Sequence, residues 1–215
     1  MTRIAIFDLD GTLVDSAADI HASLDRLMAA QGLAGFSRAE VIGMIGDGVR
    51  ALVTKALNAR DRPFDETALD AFVADYTAQA TVLTRPFEGI PAALDALAAA
   101  GWRMAVCTNK PEEAARLLLA DLGLADRFAA LGGGDSFPVR KPDPGHLLAT
   151  LAAAGGAKDR AVMIGDHRND VQAAAGAGVP CIFAGWGYGP AHMAEGAPIA
   201  ATPHDLPRMI AALLA

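Results

Sequence analysis

Two aspartates, Asp8 and Asp10, stand two residues apart at the end of an apolar run, just before Gly11-Thr12. In an extended backbone this spacing puts both side chains on the same side. Neighbouring carboxylates repel, so the pair needs a cation or a shared proton. One can attack phosphorus while the other handles protons. Gly11 lets the backbone approach an oxyanion closely. An Asp-Gly step alone is also ordinary turn chemistry, so the company it keeps decides. Thr108-Asn109-Lys110 follows a second apolar run. A hydroxyl and backbone amides at a helix start, here from Thr108 and Asn109, can hold a phosphoryl oxygen. Lys141, in Lys141-Pro142-Asp143-Pro144, can offset the charge gathered by a carboxylate nucleophile and a phosphate. Asp166 and Asp170 follow a further apolar run and share a face if that segment is helical. Taken singly, these clusters also read as helix caps or as a surface lysine before a proline-started helix. Four acids in one place would be costly without a hard divalent cation. Magnesium takes carboxylate and water oxygens and often sits beside phosphate.

The elements that must position these residues are legible as hydrophobic periodicity. Continuous apolar runs at 4–9, 104–107, 129–131, 161–164 and 181–183 fit strands buried on both faces, as in a parallel sheet. Helical patterns separate them at 90–100, 111–122, 169–177 and 206–214. Gly101 and Gly123 stand just past two of these helices, and Pro111 in the first turn of one. Strand-helix alternation predicts an α/β fold, a three-layer Rossmann-like parallel sheet core. From about 16 to 83 the alternation stops. Amphipathic periodicity at 20–30, 49–59 and 69–80 predicts an inserted all-helical cap (16–83) in a core formed by 1–15 and 84–215.

Composition sets bounds on function. With 53% hydrophobic and 20% charged residues, the 215-residue chain is globular. A net charge of −7 argues against nucleic-acid binding, which needs a basic face. Cys107 and Cys181 lie in apolar runs and read as buried thiols of a reducing compartment. No signal peptide or membrane span is evident, so the expected location is cytoplasmic. Neither Gly-x-x-x-x-Gly-Lys-Ser/Thr nor Gly-x-Ser-x-Gly occurs.

The order and spacing of the four clusters resemble the haloacid dehalogenase superfamily, whose first motif reads Asp-x-Asp-Gly-Thr. Val14-Asp15-Ser16, Thr108-Asn109-Lys110-Pro111, Gly132-Gly133-Gly134-Asp135 and Gly187-Tyr188-Gly189 are similar to its phosphoglycolate phosphatase branch. The resemblance implies Asp8 as nucleophile and Asp10 as general acid and base. It implies phosphoryl binding by Thr108 and Lys141. Magnesium would be held by Asp8, the Asp10 carbonyl and Asp166, with Asp170 in support. His167 departs from the Ser or Thr expected there. The implied partner is a small phosphorylated metabolite, with 2-phosphoglycolate foremost; the sequence leaves the oligomeric state open. A sugar-phosphate mutase, a pyrophosphatase and a non-enzymatic phospholigand-binding protein are the rivals on the same scaffold. In the cap, Gly46 and Gly48 suit a loop that approaches a ligand closely, and a helix starting at Val49 would aim its N-terminus at an anion. Arg50 is the expected reader of a substrate carboxylate there.

Overall fold

The computed structural model describes residues 2–213. In chain order the elements are β1 (Arg3–Phe7), β2 (Val14–Asp15), α1 (Ala17–Ala30), α2 (Arg38–Ile42), α3 (Val49–Asn58), α4 (Glu66–Gln79), β3 (Arg85–Pro86), α5 (Ile90–Ala99), β4 (Trp102–Cys107), α6 (Glu112–Asp121), β5 (Phe128–Gly132), α7 (Pro144–Ala153), β6 (Ala161–Gly165), α8 (Arg168–Ala177), β7 (Cys181–Ala184), β8 (Ile199–Ala200) and α9 (Leu206–Leu213). The expected last residue of the final helix, Leu214, lies outside the described residues.

β1 shows why the fold has three layers. Its apolar residues alternate between two separate cores. Ala5 and Phe7 join the residues of α5, α6 and α9, while Ile4 and Ile6 join those of α7 and α8. Side chains on a strand point to opposite faces in turn, so a continuous apolar run demands a helix layer on each side. All pairings in the six-stranded sheet are parallel, in the order β5-β4-β1-β6-β7-β8. β8 is a two-residue edge strand that the apolar runs did not predict.

The interruption after β1 is helical, as expected, but it holds four helices, not three. The extra one, α2, is short, and Ser37 and Glu40 close a capping box at its start. α1 packs on α2 and α4, and α4 on α3. Leu24, Met28, Val53, Phe72 and Tyr76 from these helices share a core with Phe7, Leu9 and Leu13. The two chain crossings into and out of this region form an antiparallel ribbon, Val14 opposite Pro86 and Asp15 opposite Arg85. Buried Asp19 holds the return crossing. Its carboxylate accepts from the Leu83 and Thr84 amides and the Thr84 hydroxyl, the shortest contacts being 2.7 Å. A buried carboxylate with three donors is satisfied without a counter-ion.

Candidate active site

The polar clusters converge because their strands end at one edge of the sheet. Asp8 follows β1, Thr108 follows β4 and Asp166 follows β6. β1 lies between β4 and β6, so the chain reverses its direction of travel across the sheet there, and an open sheet leaves a crevice at such a reversal. Lys141 enters from the loop between β5 and α7 and is buried, not a surface lysine.

Lys141 is the hub of the crevice. Its Nζ lies 2.9 Å from Asp8 Oδ1 and 2.5 Å from Asp170 Oδ1, and it donates to the Cys107 carbonyl at 2.6 Å. Burial alone would lower the ammonium, but Asp170 and Asp8 outweigh it and hold Lys141 well above its usual range. Burial pushes Asp170 up while Lys141 opposes it; at their separation the two form an ion pair. The backbone of Lys141 is held by His146, whose Nδ1 accepts from the Lys141 amide at 3.2 Å. Burial, then the Lys141 charge, pushes His146 down to about 4, so the ring is neutral.

Asp166 sits on the other side of Asp8. Thr12 Oγ1 donates to its Oδ1 at 2.8 Å, and the Tyr188 and Gly189 amides donate to Oδ2 at 2.8 and 3.4 Å. Burial, followed by the charges of Asp8 and Asp170, pushes the Asp166 carboxyl up to about 8. Gly11 has φ +88°, and a Cβ there would overlap the Asp166 carboxylate. The room that Gly11 provides is thus taken by Asp166, where the sequence suggested an oxyanion.

Asp8, Asp166 and Asp170 each offer an oxygen within 4.8 Å of the others. Asp8 Oδ1 is buried and has no aligned donor despite the nearby Lys141. All-oxygen donors with one left orphaned fit a hard cation. Both Asp170 oxygens are engaged, by Lys141 and by the His167 amide at 3.0 Å. The Asp10 carboxylate stands apart from this cluster. It accepts from Ser16 Oγ at 2.7 Å and from Lys110 Nζ at 3.1 and 3.2 Å. Any metal contact by Asp10 is therefore left to its main chain.

Above the acids lies a cavity of about 480 Å³, part of it open to solvent. Asp8, Asp10 and Thr108 form its floor, and the apolar side chains of Ile20, Val49, Leu52 and Phe72 its roof. Thr108 is buried and its hydroxyl accepts from the Lys110 amide at 3.2 Å, which leaves its proton free to donate. Asn109 lines the cavity; its Nδ2 donates to the carbonyls of Gly46 and Lys141 at 3.0 and 2.9 Å, while its buried Oδ1 has no partner. Gly46 is held a second time by Asn169 Nδ2, at 3.3 Å. With φ +117° it lies so close to the His167 ring that a Cβ would come within 2.7 Å of it. His167 caps α8 with Nδ1, doing with a ring nitrogen what a Ser or Thr hydroxyl does at that position.

The structure places Arg50 elsewhere than expected. α3 does begin at Val49 with Gly48 as its cap, and Gly48 and Val49 line the cavity. Arg50 is one residue further round the helix. It pairs with Glu66 at 2.6 Å, stacks over Phe64 and is half exposed. A helix turns about 100° per residue, so a side chain next to a cavity-lining one faces away. Sequence reasoning gave no role to two polar groups that do line the cavity: Lys110, buried against Asp10, and Tyr76 of α4, whose hydroxyl receives a bond from Lys110 Nζ. Burial lowers Lys110 from its usual value while Asp10 opposes that shift. Tyr188, read from the sequence only within a motif, has a hydroxyl that accepts from the Ala17 amide and donates to Asp15. The one available signal was Lys110 itself, a charge directly after a buried strand end.

Residues 5–184 match the haloacid dehalogenase-like hydrolase family. The chain belongs to that family. The phosphoglycolate phosphatase of Agrobacterium fabrum is 43% identical to this hydrolase over 199 residues, covering 91% of this chain and 85% of that one. The phosphoglycolate phosphatase of Rhodospirillum rubrum is 42% identical, covering 87% and 81%. The crystal structure of a predicted phosphoglycolate phosphatase from Haemophilus somnus superposes with a TM-score of 0.89 at 27% identity, covering 97% of both chains. Among the described residues, no helix of the hydrolase is long and apolar enough to cross a membrane.

Proposed function

We propose that this hydrolase cleaves 2-phosphoglycolate to glycolate and phosphate through a phosphoryl group carried on Asp8, with magnesium as its metal. The observation that carries the reading is the split environment of the two aspartates. Asp8 has an oxygen free of aligned donors beside Lys141, as an attacking carboxylate needs. Asp10 has its own hydrogen bonds to Ser16 and Lys110 and faces the same cavity. The names of the relatives supply the substrate.

On this reading Asp8 attacks phosphorus while Asp10 protonates the leaving oxygen, and Asp10 then takes a proton from the water that hydrolyses the acyl phosphate. Thr108 and Lys141 hold the phosphoryl oxygens. Asp8, Asp166 and the Asp10 carbonyl would hold magnesium, which would add charge neutralisation to that of Lys141. The helices of 16–83 act as a cap over the core of 1–15 and 84–215 and keep bulk water from the cavity. The expected setting is the cytoplasm.

The test is a phosphate-release screen over small phosphorylated metabolites, with and without chelator. Turnover should be fastest on 2-phosphoglycolate, vanish in chelator and return with magnesium. Fastest turnover of pyrophosphate would make the enzyme a pyrophosphatase. A phosphate isomer formed without free phosphate would make it a mutase. Binding with no turnover of any ester would leave a phospholigand-binding protein, and full activity in chelator would remove the metal.

A further inference from the structure

A buried ammonium that contacts Asp10 at the floor of the cavity has a tyrosine hydroxyl from α4 beside it, and no substrate contact is assigned to it above. Lys110 has its side chain 1% exposed and lines the cavity with Tyr76. Its Nζ contacts both Asp10 oxygens, donates to Tyr76 Oη and lies 4.2 Å from the centre of the Tyr76 ring. We infer that Lys110, oriented by Tyr76, is the subsite that binds the carboxylate of the substrate, the role that Arg50 does not fill. The inference rests on the reading of the enzyme as a phosphatase of a carboxylated ester.

Three observations support it. The first is position. If Asp10 protonates the leaving oxygen, that oxygen lies within one hydrogen bond of Asp10. Lys110 is itself one hydrogen bond from Asp10, at 3.1 Å. In a phosphorylated 2-hydroxy acid the carboxylate is attached to the carbon that bears the leaving oxygen. A cation touching the acid is therefore where the carboxylate must come. The second is scarcity. Among the described residues, the side chains lining this cavity carry no positive charge apart from Lys110: above the floor they are Ile20, Ile45, Val49, Leu52, Phe72 and Tyr76. A carboxylate entering an apolar chamber without a partner would bear its full desolvation cost, so the single cation decides where it can sit. The third is the state of the ammonium. It has three donors, and Asp10 and Tyr76 are the partners it has in the free protein. The two contacts to Asp10 can be reduced to one while the freed donor turns to the substrate, so binding needs no motion of the lysine stem.

The experiment compares two substrates, 2-phosphoglycolate and ethyl phosphate, which has the same two carbons and no carboxylate. Kinetics are measured for the wild type, Lys110→Met and Tyr76→Phe, with folding checked by near-ultraviolet circular dichroism. Loss of Asp10 support affects both esters and cancels in the ratio of their kcat/KM values. Lys110→Met should reduce the preference for 2-phosphoglycolate at least ten-fold, the loss of a charge-assisted contact. Tyr76→Phe removes only the orienting hydroxyl and should reduce the preference by less, mainly through KM. It also serves if Lys110→Met does not fold. If the wild type prefers 2-phosphoglycolate and the variants keep that preference, the subsite is wrong and the proposed substrate stands. If the wild type shows no preference for the carboxylated ester, the proposed substrate falls, and the subsite with it.

Discussion

The cavity has a floor and a roof built on opposite principles. The floor gathers Asp8, Asp10, Asp166 and Asp170 around two buried lysines, Lys110 and Lys141, at the ends of parallel strands. Of the buried carboxylate oxygens here, Asp8 Oδ1 lacks an aligned donor, although Lys141 Nζ is 2.9 Å away. The roof is apolar and comes from helices that reach the sheet through a two-stranded ribbon. Its polar contacts with the floor include the Gly46 carbonyl, held by Asn109 and Asn169, and the Tyr76 hydroxyl, which accepts from Lys110. Charge in a rigid, low-dielectric floor can act on a developing transition state without reorganising. An apolar roof excludes water and admits a substrate by size. The difference predicts that floor substitutions change the chemical step, whereas those at the outer surface of the cap leave it alone.

The largest effect expected is at Asp8. Asp8→Asn is nearly isosteric and cannot attack, so kcat should fall at least ~10³-fold, because groups that act as a catalytic unit fail together. The fold should survive, since the remaining amide oxygen can still face Lys141. Near-normal kcat would remove Asp8 from the mechanism. A beryllium or aluminium fluoride mimic of the phosphoryl group should inhibit the wild type.

Next come Asp10 and Lys141, which separate proton transfer from charge stabilisation within the floor. Asp10→Asn should slow alkyl phosphates by roughly 10²-fold or more and activated aryl phosphates much less, since a good leaving group needs no proton. Lys141→Ala should slow both to the same degree. Identical leaving-group dependence in the two variants would contradict the division of roles. Lys141→Ala should also destabilise the protein, because it leaves Asp170 charged and buried without its partner.

How far the sequence revealed this arrangement differs between the same two regions. The floor was legible because it is tied to strand ends. A continuous apolar run fixes a buried parallel strand, and the first polar residues after it can only emerge at the sheet edge. Asp8, Thr108 and Asp166 all follow that rule, as do the strands that carry them. Side-chain direction on a cap helix has no such anchor. Val49 and Arg50 are adjacent in sequence, and packing alone decides that the first faces the cavity and the second Glu66. Tyr76 reads as one more buried aromatic of an amphipathic helix until Lys110 is seen beside it. The β2–β3 ribbon escaped for another reason. Two residues from each crossing pair only after the helices between them have folded, so no local pattern encodes it.

A smaller effect tests the support beneath the floor. His146 must stay neutral to accept from the Lys141 amide, and its pKa falls from 6.5 to about 4 in the fold through burial and the Lys141 charge, against weaker opposing pulls from the Gly133 and Gly132 backbone and from Asp8. The unfolded chain therefore binds more protons than the folded one between these two values, and stability rises with pH across that window. Fully present above pH 6.5 and lost as pH falls through 4, the contribution amounts to about 3 kcal/mol. Asp166 and Asp170 titrate with the opposite sign, so the comparison must be with His146→Asn, which keeps an acceptor near the Nδ1 position and does not titrate. Urea melts at pH 4.5, 5.5 and 7 should show the wild type losing stability on acidification relative to the variant. Parallel pH profiles would mean that His146 is not held neutral.

The smallest effect is expected at Arg50, and its smallness is the informative result. A guanidinium at the start of α3 would be well suited to a carboxylate if it entered the cavity. It lies instead on the outer face, paired with Glu66 and stacked over Phe64, with 48% of its side chain exposed. An exposed pair of this kind is screened by solvent and contributes little to stability. Arg50→Ala should leave KM for 2-phosphoglycolate and for p-nitrophenyl phosphate unchanged within about two-fold, and shift Tm only slightly, since exposed ion pairs are weak. A selective rise of ten-fold or more in KM for the carboxylated substrate, the cost of losing a charge-assisted contact, would mean that α3 rotates on substrate binding and carries Arg50 inward. It would also move carboxylate recognition from Lys110 to the roof. The two lysine-side variants and Arg50→Ala thus form one comparison, in which only one end of the cavity can hold the carboxylate.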